Sequence, residues 1–153
     1  MLTDYVNQYY DPQSKRASEL VANDYAKARD IAAWKKHVLR YWPDIEVVSY
    51  RQPDSSYSLS AENPMQAEVV LNISDLKPED VGVEMLFSTY DRKGSLCIRE
   101  KFAFNLVDFK DGIATYRTEV LPERTGMYQV ATRIYPKNPH LPHRQDFPIV
   151  RWL

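Results

Sequence analysis

Trp42-Pro43 divides this chain of 153 residues into two stretches with different hydrophobic periods. Pro43 has no N–H and cannot continue a helix. It also pushes Trp42 out of the α region. A helix is therefore predicted to stop at Tyr41 or Trp42. Upstream, Leu20, Val21, Tyr25, Ala28, Ile31, Ala32, Val38 and Trp42 recur mostly in steps of three and four. That spacing places them on one helical face, which reads as core. Lys15, Arg16, Lys27, Arg29, Lys35 and Lys36 mostly lie off it. Asp11-Pro12 reads as N-cap and first helical residue. Thr3 or Asp4 can cap a shorter helix ending near Tyr10. Asn23-Asp24 either interrupts the long run or is absorbed by it, so two or three helices are expected. Trp34 and Trp42 are expected to pack the helical part against the β part.

Downstream the period falls to two. Glu46 to Arg51 is a predicted strand. Residues 52–64 read as turns around a short strand at Tyr57 to Ser60. Ala67, Val69, Leu71 and Ile73 alternate with Glu68 and Asn72. Val81, Val83, Met85 and Phe87 come next, with Glu84 on the opposite face. Asp91-Arg92-Lys93-Gly94 is a hairpin signal. Glu100, Phe102, Phe104 and Leu106 read as one strand. Asp111-Gly112 is a strong turn dipeptide. Ala114, Tyr116, Thr118 and Val120 continue, then Tyr128, Val130, Thr132 and Ile134, and Ile149 to Trp152 closes the chain. Seven or eight strands at this spacing predict a sandwich. Leu121 to Val130 resembles the corner before strand F of immunoglobulin-like domains, with Tyr128 as the corner tyrosine and Val130 as the core position two residues on. The expected class is mainly β with an N-terminal helical segment: an immunoglobulin-like Greek-key β-sandwich over 44–153, preceded by two or three α-helices within 1–43.

Composition excludes several functions. Twenty basic residues against 21 acidic ones leave a net charge of −1, which gives no electrostatic case for nucleic acid or an anionic membrane. No apolar run approaches the roughly 20 residues that span a bilayer, and the N-terminus lacks the basic and apolar regions of a signal peptide. A lone cysteine forbids an internal disulfide, and a cytoplasmic setting is expected. The four glycines are scattered, so no Gly-rich loop can cradle a phosphate.

No catalytic constellation stands out. His140, His143 and Asp146 could ligate zinc, but they lie in a proline-punctuated loop without a fourth ligand. Pro136, Pro139 and Pro142 recur with the polyproline II period and read as a stiff connection. Cys97 falls on a strand and reads as a small hydrophobe. Glu119 with Glu123, or Asp108 with Asp111, are carboxylate pairs of a kind common on surfaces. His37 sits among lysines. Tyr50, Tyr57, Tyr90 and Trp152 are candidates for stacking on sugar rings. No catalytic, cofactor-binding or metal-binding residue is assigned.

Several segments, in order, resemble the C-terminal end of bacterial-type α-glucan (glycogen) phosphorylases. They are Asp4-Tyr5-Val6-Asn7-Gln8-Tyr9-Tyr10-Asp11-Pro12, then Ala33-Trp34-Lys35-Lys36 and Tyr41-Trp42-Pro43, then Leu76-Lys77-Pro78-Glu79-Asp80-Val81-Gly82-Val83-Glu84. Arg133 to Leu141 and the terminal Val150-Arg151-Trp152 complete the set. The resemblance implies a parent enzyme that uses pyridoxal phosphate to phosphorolyse α-1,4-glucan to glucose 1-phosphate. The family's cofactor lysine lies in a Gly-Thr-any-Asn-Met-Lys run that this sequence lacks. The implied identity is a non-catalytic C-terminal fragment, with Met1 an artificial start. It would pack on the parent's catalytic lobes, aid assembly, hold glucan, or form a homo-oligomer through the helical arm. A standalone carbohydrate-binding or protein-interaction sandwich is the alternative. The fragment reading leaves Val21, Tyr25, Ala28 and Ala32 without their partner lobe.

Overall fold

The computed structural model describes residues 11–52, 65–123, 126–141 and 143–153. The chain divides into two compact units between His37 and Val38. Helix α1 spans Asp11–Tyr41, so its last turn belongs to the second unit. Pro12 sits in the first turn, and the helix ends just before Trp42 and Pro43, as proline chemistry requires. Trp42–Asp44 form a single 3-10 turn. One α-helix is seen among the described residues, and the shorter helix expected before Tyr10 lies outside them. The helix passes through Asn23-Asp24, but Tyr25 has a left-handed backbone (φ 59°). That conformation costs an L-residue roughly 1–2 kcal/mol. Val21 and Tyr25 are exposed rather than core. Val38 and Trp42, past the division, are buried in the second unit.

The second unit contains eight strands among the described residues: β1 Glu46–Arg51, β2 Met65–Asn72, β3 Val81–Tyr90, β4 Leu96–Ala103, β5 Asn105–Lys110, β6 Ile113–Val120, β7 Gln129–Pro136 and β8 Arg151–Trp152. They form two four-stranded sheets, in orders β1-β2-β6-β5 and β4-β3-β7-β8. Every pairing is antiparallel. Ala67, Val69 and Leu71 stand opposite Thr118, Tyr116 and Ala114, and all six are buried. In the second sheet Val83, Met85 and Phe87 stand opposite Ile134, Thr132 and Val130, and all but Val130 are buried. The Tyr50 hydroxyl on β1 lies 2.7 Å from Thr132 Oγ1 on β7, a hydrogen bond that ties one sheet to the other.

Turn chemistry fixes the hairpins. Asp111 and Gly112 both have positive φ (50° and 81°), the type I′ geometry that matches strand twist. The Asp91 carboxylate accepts the N–H groups of Lys93 and Ser95, and Gly94 supplies φ 78°.

Two expectations about the strands are corrected. Phe102, Phe104 and Leu106 do not share a strand. The chain changes sheets at Phe104, whose N–H bonds Val83 O at 2.9 Å. Alternation continues unbroken through the crossover, so periodicity gives no mark of it. Glu84 does lie on the face opposite Val83, Met85 and Phe87, and that face is covered there too: Val81 to Ser88 are all buried. Val130 is 40% exposed, since β7 only begins at Gln129 and the core-facing series is covered from Thr132 onward. The expected strand at Tyr57 to Ser60 lies outside the described residues.

Candidate functional site

The densest cluster of charge lies on the outward face of the second sheet, around Glu84. On β3 the core-facing series is Val83, Met85 and Phe87, so Gly82, Glu84, Leu86 and Ser88 point outward. Glu84 stands opposite Arg133, and its Oε1 accepts Arg133 Nε at 2.6 Å. Arg144 Nη1 reaches the same oxygen at 2.6 Å. Arg144 arrives from a 3-10 turn, Arg144–Asp146, whose Asp146 carboxylate caps the His143 N–H. Its Nη2 donates to the Tyr135 hydroxyl at 3.0 Å, and its guanidinium carbon lies 3.8 Å from the Tyr135 ring centroid. That ring also lies against Gly82, where an added Cβ would come within 2.4 Å of Cζ. The cluster therefore fastens the segment after β7 over this end of the sheet. Phe147 is buried beside it.

Burial alone would raise the Glu84 pKa. The hydrogen bonds and charges of Arg144 and Arg133 outweigh it and hold the carboxyl below its ordinary value. Such a group stays ionised at neutral pH and cannot act as a general acid. Burial pushes the Tyr135 phenol up, so it stays neutral and donates or accepts only hydrogen bonds. A depression of about 560 Å³ adjoins the cluster, lined by Lys101, Arg133, Tyr135, Arg144, Phe147 and Ile149 among others. It brings no nucleophile and base together.

The sequence candidates disperse. Tyr50 is half-buried, with its hydroxyl engaged by Thr132 and Gln52. Tyr57 lies outside the described residues. Tyr90 is 64% exposed at the end of β3, and Trp152 is 56% exposed on β8, with Arg133 over its ring at 5.5 Å. Both are on the outward face of the second sheet. Trp152 aligns with Arg133 and Glu84, six residues along β3 from Tyr90, roughly 20 Å. They do not form one stacking platform. The Tyr135 ring is already in contact with the Arg144 guanidinium and close against Gly82.

His140, His143 and Asp146 do not converge on a shared ligand position. Among the described residues no group of three His, Cys, Asp or Glu could hold a metal ion. Asn138 to Leu141 closes as a β-turn rather than running on as a polyproline II segment, because Asn138 bonds its own backbone two residues ahead. Pro142 lies outside the described residues. Cys97 is half-buried, with Sγ near Asp91 Oδ2 and Ser95 O. Glu119, Glu123, Asp108, Asp111 and His37 are exposed. Among the described residues no helix is long and apolar enough to cross a membrane. Sequence reasoning missed the arginine pair on Glu84. The signal was there: one carboxylate inside the run Val81-Gly-Val-Glu-Met-Leu-Phe87 demands a cationic partner if that run is buried.

The sequence profile described as "Glycogen phosphorylase C-terminal domain" matches residues 42–153. The chain belongs to that family. The match begins at Trp42, the residue where α1 has ended, and runs through every strand of the second unit. The chain is also similar to a maltodextrin phosphorylase from Thermococcus litoralis, 23% identical over 158 aligned positions. That similarity covers 99% of this chain but 18% of the relative, so the chain spans under a fifth of the length of the curated protein it matches. No solved structure matches it.

Proposed function

We propose that the chain is a non-catalytic C-terminal region of an α-glucan phosphorylase, in which the β unit packs against the catalytic lobes. The family match across 42–153 carries this reading. The parent would phosphorolyse α-1,4-glucan to glucose 1-phosphate in the cytoplasm, with pyridoxal phosphate held by its catalytic lobes. An immunoglobulin-like Greek key is the topology we infer. Its support is the strand order: β1-β2-β6-β5 corresponds to A-B-E-D, and β3-β7-β8 to C-F-G with β4 added.

The two outward faces suggest which side docks. The first sheet's is mostly polar: Glu68 and Arg117 pair at 2.5 Å, with Arg51, Asn72 and Asp108 on the same face, and its apolar Val70 and Ile113 are half-buried. The second sheet's carries Tyr90, Leu96 and Ile98, all exposed and grouped by the pairs Tyr90↔Leu96 and Ser88↔Ile98. Clustered apolar side chains on one face mark an interaction surface.

Two assays test the proposal. The chain alone, given glycogen, phosphate and pyridoxal phosphate, should release no glucose 1-phosphate; release would overturn it. The chain should also be retained by immobilised phosphorylase lobes that lack this region, and Leu96→Asp/Ile98→Asp should abolish retention. Retardation on a glycogen gel, lost in Tyr90→Ala or Trp152→Ala, would move the function to glucan holding instead.

A further inference from the structure

We propose that β4 is a self-complementary edge that joins two copies of this chain through antiparallel strand pairing. Among the described residues, β4 ends its sheet and is paired to β3 alone. An edge strand presents a row of N–H and C=O groups to any further strand. When a strand pairs antiparallel with its own copy, the two-fold axis stands perpendicular to the sheet, so opposed residues must share a face. In a strand of strict alternation this sets each residue opposite itself or one at an even offset.

The bulge in β4 changes that rule. Phe87 pairs with Glu100 and Ser88 with Ile98, so Arg99 is the extra residue. Leu96, Ile98, Lys101 and Ala103 lie on the outward face, and Cys97, Glu100 and Phe102 on the other. Arg99 joins the second group: its Nε donates to Thr89 Oγ1 at 2.8 Å, and it lines the same depression as Glu100 and Tyr128. With the two-fold axis between Arg99 and Glu100, every pair matches in face. Leu96 meets the second copy's Ala103, Cys97 meets Phe102, Ile98 meets Lys101 and Arg99 meets Glu100. Moving the register by one residue either way opposes outward to core-facing side chains. It also sets Arg99 against Arg99, or Glu100 against Glu100. The face-matched register is thus the charge-complementary one, with two Arg99–Glu100 pairs across the axis. The existing bonds leave room for them: Thr89 engages Nε of Arg99, and the Glu123 N–H engages Oε2 of Glu100. The stem of Lys101 would cover exposed Ile98 of the second copy.

Sedimentation equilibrium on the full chain tests this, with circular dichroism melts to show that each variant is folded. Wild type should follow a monomer–dimer equilibrium. Arg99→Glu and Glu100→Arg should each weaken it about tenfold, since each opposes like charges twice. The double variant Arg99→Glu/Glu100→Arg should restore it, which damage to folding could not do. In a Cys97→Ser background, a mixture of Ile98→Cys and Lys101→Cys chains should cross-link as heterodimers. A chain that stays monomeric, a double variant no tighter than the single reversals, or a dimer lost in Val21→Asp/Tyr25→Asp but unchanged by the β4 variants would overturn the proposal.

Discussion

Glu84→Gln removes the charge that two guanidiniums share while leaving the side chain's shape. Glu84 is 3% exposed as a side chain, Arg133 19% and Arg144 51%. Breaking a fully buried ion pair costs about 3–5 kcal/mol, because a charge is left without its counter-charge in low dielectric. Two features lower that figure here. Water reaches half of Arg144 and screens it, and the glutamine carbonyl can still accept one guanidinium hydrogen bond. The expected loss is about 2 kcal/mol at neutral pH, a fall in Tm of about 8 °C for a domain of this size. The pH dependence comes from the lowered Glu84 pKa. A carboxyl with a folded pKa below its unfolded value contributes fully above the unfolded pKa, 4.5 in reference terms. The contribution disappears as pH falls through the folded pKa. Wild type and Glu84→Gln should therefore differ at pH 7 and converge in acid. Thermal unfolding followed by circular dichroism at both pH values measures this. Equal Tm at pH 7, or a difference that persists unchanged in acid, would refute the account of Glu84 as an ionised anchor.

Other outcomes rest on single contacts. Gly82→Ala should destabilise by about 1–3 kcal/mol, since the new methyl meets a Tyr135 ring that Arg144 holds in place; urea unfolding reads it, and adding Tyr135→Ala should remove the clash between them. Tyr50→Phe should cost about 1 kcal/mol through loss of the inter-sheet bond to Thr132, measured by the same urea midpoint. Burial raises the pKa of both Tyr50 and Tyr116, so stability should hold below the reference value of 10.0 and decline as pH rises beyond it, which an alkaline series of melts would show. Gly112→Ala should lose at least about 1 kcal/mol, because φ 81° is strained for any L side chain.

What was legible in the sequence was local. Pro43 stopped the helix, Asp111-Gly112 and Asp91 to Gly94 made their turns, and Ala67 to Ile73 showed which face was core. Each is decided within a few residues. What was hidden was decided at a distance. The Glu84 carboxylate is satisfied by residues 49 and 60 positions away, and no short window contains that pairing. Phe104 gave no sign of the sheet change because Phe102, Phe104 and Leu106 keep the same period on both sides of it. Val21 and Tyr25 carried a core-like stripe because spacing reports a face that could be buried, and not what is present to bury it. Among the site residues, exposure of Tyr90 and Trp152 matched their positions near strand ends, whereas the use of the Tyr50 hydroxyl between sheets needed three dimensions.

The change of sheet at Phe104 leaves one residue between β4 and β5. A tether that short has no slack. The β3–β4 hairpin and the β5–β6 hairpin cannot separate without tearing the Phe104 N–H from Val83 O and drawing its ring out of the interior. Neither sheet can then open as an independent foldon, and amide exchange at Phe104 should be as slow as global unfolding allows. The same point is the wrong place for an inserted loop or a new pair of termini, while the exposed Asp91–Gly94 turn, which has length to spare, is the right one.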